Sequence, residues 1–553
     1  GVLSLEHDGV TFYFLDNEAH FKRPGTYGFF DDGERFAFFN RAVLDALPAL
    51  NFQPDLIHCH DWHAGMIPVM LTQYRNQAFY APIQTIFTIH NLQYQGVFSK
   101  SILGDLLGLG WEHFNVNGIE FHDQVSFMKG GLNYSTAITT VSPTYAKEIQ
   151  TPYYGADLEG VLARRQSFLT GIINGIDVET WDPHTDPFLT KNYTWRSLQR
   201  KVENKVALQA ELGLTQDPHV PMMGMVTRLV RQKGLDLVAH VLDEILQLNL
   251  QLVVLGTGEL EYEEMFRHFA GKYPERVSAT IGFKNDLAHQ IYAASDLFLM
   301  PSLFEPCGLG QLIAMRYGSL PIVRETGGLK DTVQAYNEGT GEGNGFSFTN
   351  YNAHDLLSTV QQAVGLYELG DEGPWKSIVA RAMRADFSWR QSAEKYKELY
   401  ETVLERRRWV REIIAFNHHW RFKDEFRKEF VDPKFQDQAW TKVNLPHANR
   451  EVPYNYFDEK DYQFISTYRK SFTVDQKNKG KRIFVDFGAV MTYAEVYLNG
   501  QFVGNHKGGY TPFSCDLTDH VKFGEENVLT VKVDSTERPD IPPFGHVIDY
   551  LCF

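Results

Sequence analysis

From about Pro218 to Arg384, apolar runs of strand length alternate with amphipathic stretches of helix length. "VPMMGMVTRL" predicts a strand, "LDLVAHVLDEILQL" a helix, "LQLVVLGTG" a strand and "EYEEMFRHFAGKYP" a helix. The series continues with strand "VSATIGF", helix "LAHQIYAAS", strand "DLFLMPS", helix "LGQLIAMRYG" and strand "LPIVRET". Continuous apolar strands belong to a sheet covered on both faces, and strand–helix repetition gives parallel pairing. From Gly1 to about Thr215 the alternation is looser, with strands expected at "PDLIHCHD", "PIQTIFTIHN", "TAITTVS" and "TGIINGID". A helical run, "WRQSAEKYKELYETVLERRR", follows the second series. After Arg408 the period changes to two. "YRKSFTV", "KRIFVDFGAV", "AEVYLNGQFV" and "NVLTVKVDS" alternate apolar and polar positions between turns such as "LNGQ" and "FGEEN", as strands of an antiparallel sandwich do. The only punctuation between the two textures is the basic cluster Arg406, Arg407, Arg408 and Arg411. The pattern thus predicts α/β lobes over 1–215 and 216–406 and a β-sandwich over 410–553.

Composition narrows the partners. Lys and Arg number 53 and Asp and Glu 69, a net charge of −16, which argues against nucleic acid or an anionic membrane as the main partner. No apolar run is long enough to span a bilayer and no signal peptide is visible. Cys59, Cys307, Cys515 and Cys552 show neither a CxxC nor a metal-ligand spacing, so reduced thiols in a cytoplasmic protein are expected. The chain opens on Gly1 and stops on the apolar run "HVIDYLCF", and both ends are expected to be cut.

Several predicted strand ends carry candidate chemistry. "SLFEPCGLGQL" places Glu305, Cys307, Gly308 and Leu309 between a strand and a helix. Glycines there let a ligand approach backbone N–H groups, so the stretch reads as an anion-binding turn beside an acid, or as an ordinary connection. "TRLVRQKG" sets Arg228 and Lys233 after a strand, and "ETGGL" sets Thr326, Gly327 and Gly328 between a strand and a helix. Loops of this kind gathered at the carboxyl edge of one parallel sheet form a pocket for a nucleotide diphosphate, whereas each alone is a solvated loop. Neither GxGxxG with a ribose-binding acid nor GxxxxGK[ST] occurs, so a dinucleotide site and an ATPase loop are unsupported. "HCHDWHAG" crowds His58, His60, Asp61 and His63, and "TIHNLQYQG" brings His90, Asn91, Tyr94 and Gln95 to another strand end. Two of these histidines fall in or at the edge of a strand and no zinc spacing recurs, so cleft lining ranks above a metal site.

In their order, "HDWHAG", "HNLQYQG", "NGID", "TRLVRQKG", "FEPCGLGQL" and "ETGGL" resemble the motifs of bacterial glycogen synthases and plant starch synthases, glycosyltransferase family 5, from about Gly1 to about Arg406. The resemblance implies two Rossmann-like lobes of GT-B type facing across a cleft. It implies retaining transfer of glucose from ADP-glucose to the non-reducing end of an α-1,4-glucan, with no metal and no cofactor beyond the donor substrate. Arg228 and Lys233 would face the diphosphate, with backbone at Gly308 and Leu309 adding to the same field. Glu305 would hold donor sugar hydroxyls, and His90 would contact the transferring glucose. Asp61, Asn174, Cys307, Thr326, Gly327 and Gly328 would line the donor site, with Phe283 against the adenine where many relatives carry tyrosine. His63, Tyr94 and Gln95 would line the cleft. The family's opening βαβ unit with its Lys-Thr-Gly-Gly-Leu loop does not occur, so the first lobe is expected to be incomplete and transfer weak or absent. Another GT-B glucosyltransferase, using UDP-glucose, and a non-catalytic glucan-binding remnant are the alternatives.

"FNHHWRF", "NLPH" and "VYLNGQFVGNHKGGYTPFSCDLT" resemble the N-terminal jelly roll of family 2 glycoside hydrolases, the β-galactosidase group, over about Val410 to Phe553. The domain is expected to be partial. The hydrolase barrel with its paired glutamates does not occur, so no hydrolase activity is implied. Tyr510 and Phe513 would touch sugar or, as the favoured reading, pack the sandwich. The abrupt join is expected to come from read-through of neighbouring genes or from the assembly of the sequence.

Overall fold

A computed structural model describes residues 1–406, 414–450, 461–509 and 511–537. Arg407, Arg408, Arg411, Tyr510 and Cys552 lie outside the described residues. The chain divides into two compact units, Gly1–Arg407 and Arg408–Phe553.

The first unit holds two parallel sheets. Strands Leu56–His60, Gln84–Ile89, Ala137–Thr140 and Leu169–Gly171 lie side by side in chain order. Phe87, Ile89, Ile138, Met70 and Phe127 join one core around this sheet. The second sheet runs in the order Val277–Ile281, Gln251–Gly256, Met222–Val226, Leu297–Met300, Leu320–Arg324, Phe346–Phe348. Chain order therefore reverses between Met222–Val226 and Leu297–Met300, the topological switch point of a doubly wound sheet. Met222, Met223, Leu252, Val254, Leu297 and Ile322 are fully buried, so helices cover both faces. Helix Leu235–Ile245 shows how the cover forms: Leu235, Val238, Val241, Leu242 and Ile245 make one buried stripe at helical spacing.

Two features go beyond the sequence pattern. Val2–His7 and Val10–Leu15 form an exposed antiparallel hairpin. Asp8 and Gly9 turn it with φ of 49° and 76°, the positive pair that a two-residue hairpin turn needs. Helix Trp389–Arg406 returns from the second lobe to the first sheet. Val403 packs on Ile86 and Ala137, and Ser392 Oγ donates to Ile173 O at 2.5 Å.

The second unit is an antiparallel sandwich. One sheet has the order Thr441–Val443, Trp420–Lys423, Ile465–Thr473, Glu526–Asp534, Tyr493–Leu498, Gln501–Lys507; the other pairs Phe484–Phe487 with Phe513–Asp516. Trp420, Val496, Leu529 and Val531 build its core. The turn at Asn499 and Gly500 has φ of 51° and 84°, as "LNGQ" predicts. The Phe513 ring stacks on Phe487 at 4.7 Å and on His506 at 4.4 Å, so aromatic neighbours occupy it.

Candidate active site

Because the second sheet is parallel, Val226, Met300 and Arg324 end strands at the same edge. The loops after them carry Arg228 and Lys233, Glu305, and Thr326–Gly328. The first two loops flank the switch point, where ligands enter folds of this kind. They are tied together. Leu303 N–H donates to Gln232 O at 2.9 Å, and Gln232 Nε2 donates to Phe304 O at 3.3 Å. Gly234 (φ 75°) allows the close approach, since a Cβ there would lie 2.0 Å from Pro301 O.

Lys233 Nζ and Glu305 Oε2 form an ion pair at 2.6 Å, with the two side chains 16% and 8% exposed. Ser302 Oγ donates to the same oxygen at 3.1 Å, while Oε1 accepts no hydrogen bond among the described residues. The acid therefore keeps one free lone-pair face, held rigidly by the cation and the hydroxyl on the other. The third loop packs on the backbone of Glu305. Gly328 N–H donates to Glu305 O at 3.1 Å, and a Cβ on Gly328 would lie 2.0 Å from Cys307 O. Gln311 Nε2 donates to Cys307 O at 3.0 Å and Gly308 O at 2.9 Å, holding the turn at Gly308, whose φ is 73°. Burial pushes the Cys307 thiol up to about 12, which leaves it protonated and unreactive at neutral pH. Arg228 is exposed, and its Nη2 lies 3.5 Å from Gln232 Oε1. Leu309 and Phe283 are also exposed, Phe283 by 83%.

The first lobe contributes the carboxyl ends of its own strands. Asp61 N–H donates to Thr88 O at 2.9 Å, and its carboxylate accepts the His90 N–H at 2.8 Å. These bonds hold Asp61 at φ 56°, a strained value for a residue with a side chain, while burial raises its carboxyl pKa. His60 Nδ1 and His90 Nε2 are 2.9 Å apart, and His58 stacks on His60 at 4.3 Å. Burial lowers all three imidazoles, His58 down to about 3, so the column is neutral at pH 7. Among the described residues no cluster of His, Cys, Asp and Glu converges to hold a metal ion. Tyr94, in the loop that follows His90, is half exposed. His63 stacks on Trp62 at 4.0 Å and meets Phe36 edge-on. Gln95 donates from Nε2 to Ala156 O at 2.8 Å. His63 and Gln95 thus serve packing and loop closure, whatever else they do.

The lobes meet at these loops. The backbone of Asn174 lies beside the Cys307 thiol. Glu148, at the end of helix Pro143–Glu148, accepts from Thr326 Oγ1 at 3.0 Å and Gly327 N–H at 3.1 Å. Thr144 donates from N and Oγ1 to Asp331 at 2.8 and 2.6 Å, and Arg324 Nη2 donates to Tyr154 OH at 3.2 Å. Thr144, Glu148 and Tyr154 carry no signal in the sequence: one acid, one hydroxyl and one phenol on an ordinary helix and turn.

Comparison with known proteins agrees with this architecture. Residues 1–164 match the family model "Starch synthase catalytic domain", residues 214–369 "Glycosyl transferases group 1" and residues 406–539 "Glycosyl hydrolases family 2, sugar binding domain". A glycogen synthase of Desulforamulus reducens is 57% identical over 405 residues, 73% of this chain and 84% of the relative. A glycogen synthase of Geobacillus stearothermophilus is also 57% identical, over 407 residues with the same coverage of 73% and 84%. The solved catalytic domain of Starch Synthase IV from Arabidopsis thaliana, bound to ADP and acarbose, superposes with a TM-score of 0.68 at 37% identity, covering 73% of this chain and 85% of that one. Over its first unit, the chain belongs to the glycogen synthase family.

Proposed function

We propose that the chain transfers glucose from ADP-glucose to the non-reducing end of an α-1,4-glucan, in the cytoplasm, with the Lys233–Glu305 pair at the heart of the donor site. The observation that carries this reading is that pair: a largely buried cation and acid, 2.6 Å apart, beside a sheet switch point. Departure of a nucleoside diphosphate builds negative charge on the leaving oxygen. A cation already fixed in a poorly hydrated site stabilises that charge without reorganising. Lys233 supplies it from the inner loop and Arg228, exposed at the rim, supplies a second. The unoccupied Oε1 of Glu305 accepts from donor sugar hydroxyls and fixes the ring for transfer. The neutral His90 imidazole offers a hydrogen bond to the same glucose but no charge. Asp61 acts by holding the His90 backbone, and Asn174 and Cys307 close the wall between the lobes. Phe283 offers an open ring face for a purine.

The test compares initial rates of glucose transfer to glycogen from ADP-glucose and UDP-glucose, with the product digested by an α-1,4-specific hydrolase. A preference for ADP-glucose and full digestion are expected. Transfer from UDP-glucose alone, or glycogen binding with no transfer from either donor, overturns the reading.

A further inference from the structure

The contacts between helix Pro143–Glu148, Tyr154 and the second lobe do more than join two surfaces. One lands on Arg324, which itself holds the Glu305 loop, and the others land on the segment 326–331, whose Gly328 does so. Glu148 fixes Thr326 and Gly327, and the next residue, Gly328, donates to Glu305 O at 3.1 Å and Pro306 O at 3.2 Å. Tyr154 meets Arg324, whose Nη1 donates to Leu303 O at 2.6 Å, two residues before Glu305. Thr144 grips Asp331, in the helix Gly327–Thr332 that the glycines open. Arg324 is buried and Thr326 fully so, which leaves these groups little freedom to relax separately. Burial raises the Glu148 carboxyl pKa; the Gly327 N–H, the Thr326 hydroxyl and Arg324 offset part of that cost, while Asp331 adds to it and is itself met by Thr144.

We propose that Glu148, with Thr144 and Tyr154, is a positioning clasp: their contacts across the lobes set the backbone on which Glu305 is held. This rests on the donor-site reading above. Glu148 touches no reacting atom in this account; it acts through Thr326, Gly327 and Gly328. Loss of the clasp therefore lowers the rate of the chemical step more than the affinity for donor.

The experiment pairs kinetics with a distance that does not depend on turnover. Wild type, Glu148→Ala, Glu148→Gln and Thr144→Val are compared for kcat and KM with ADP-glucose. Spin labels at Asn76→Cys and Glu264→Cys, exposed positions on the two lobes, report their separation in the same proteins. Glu148→Ala is expected to lower kcat about a hundredfold, the scale of a small misplacement at a reacting centre. KM stays within about twofold, and Glu148→Gln, whose amide oxygen still accepts, recovers most of the rate. The label separation broadens or lengthens in Glu148→Ala and in Thr144→Val, the latter serving also if the alanine variant does not fold. Unchanged kcat with an unchanged distance, or a rise in KM alone, overturns the clasp. A wild type without transfer overturns the donor-site reading instead, and the distances still decide whether the clasp holds the lobes.

Discussion

Phe283 shows what one residue can report about donor choice. Its ring is 83% exposed at the end of a strand of the donor lobe. Stacking of a base on such a ring is worth roughly 1–3 kcal/mol. Phe283→Ala is therefore expected to raise KM for ADP-glucose about tenfold while leaving kcat unchanged, by the correspondence of 1.4 kcal/mol to a factor of ten. Gly328 reports on space rather than contact. A Cβ there would meet Cys307 O at 2.0 Å, so Gly328→Ala must push the third loop off the Glu305 backbone. Overpacking of this kind costs about 1–3 kcal/mol, and a lower thermal midpoint together with loss of transfer is the expected result. Glu305, Lys233 and Gly328 stood out in the sequence through motifs that resemble those of the synthase family in their order; taken alone, each loop reads as an ordinary solvated connection. Glu148 did not stand out, because an acid at the end of a helix is ordinary until its partner, Gly327, is seen 179 positions away.

The strands and helices of the second lobe follow the apolar periodicity closely, since a parallel sheet buried on both faces leaves little choice. The hairpin Val2–Leu15 had a signal in its Asp8-Gly9 turn, but its strands are exposed and lack a core face to read. The return of helix Trp389–Arg406 to the first sheet was not legible, because amphipathicity gives a face and not its address. His58 marks that docking: Nδ1 meets Tyr400 OH at 2.7 Å and Nε2 meets Thr88 Oγ1 at 2.6 Å. Burial and the neighbouring imidazoles His60 and His90 lower its pKa from 6.5 to about 3. The unfolded chain then binds more protons than the folded one in that window, so stability contributed by neutral His58 is complete above pH 6.5 and declines as pH falls toward 3. The thermal midpoint is expected to fall with acid over this range, with a shallower slope in His58→Gln. An equal slope in both proteins would remove His58 from the account.

At the scale of the whole molecule, each unit has its own core, and every donor-site and cleft residue belongs to Gly1–Arg407. The change of texture near Arg408 was plain in the sequence because the period switches from helical to two. In the second unit Phe513 is covered by Phe487 and His506, which favours packing over sugar contact at that ring. Residues 1–407 expressed alone are expected to transfer glucose with kcat within about twofold of the full chain, as removal of groups that make no transition-state contact should leave it. A large loss would assign the sandwich a part in transfer.

Lys233 and Glu305 together are proposed to form the charged centre of the donor site. This assignment is tested most directly by transfer of labelled glucose from ADP-glucose to glycogen in single-turnover conditions, comparing wild type with Lys233→Ala and Glu305→Ala. Weak but measurable transfer by wild type is expected, with a loss of about a hundredfold or more in each variant, the scale of removing one preorganised charge contact. Transfer in either variant at the wild-type rate would contradict the assignment.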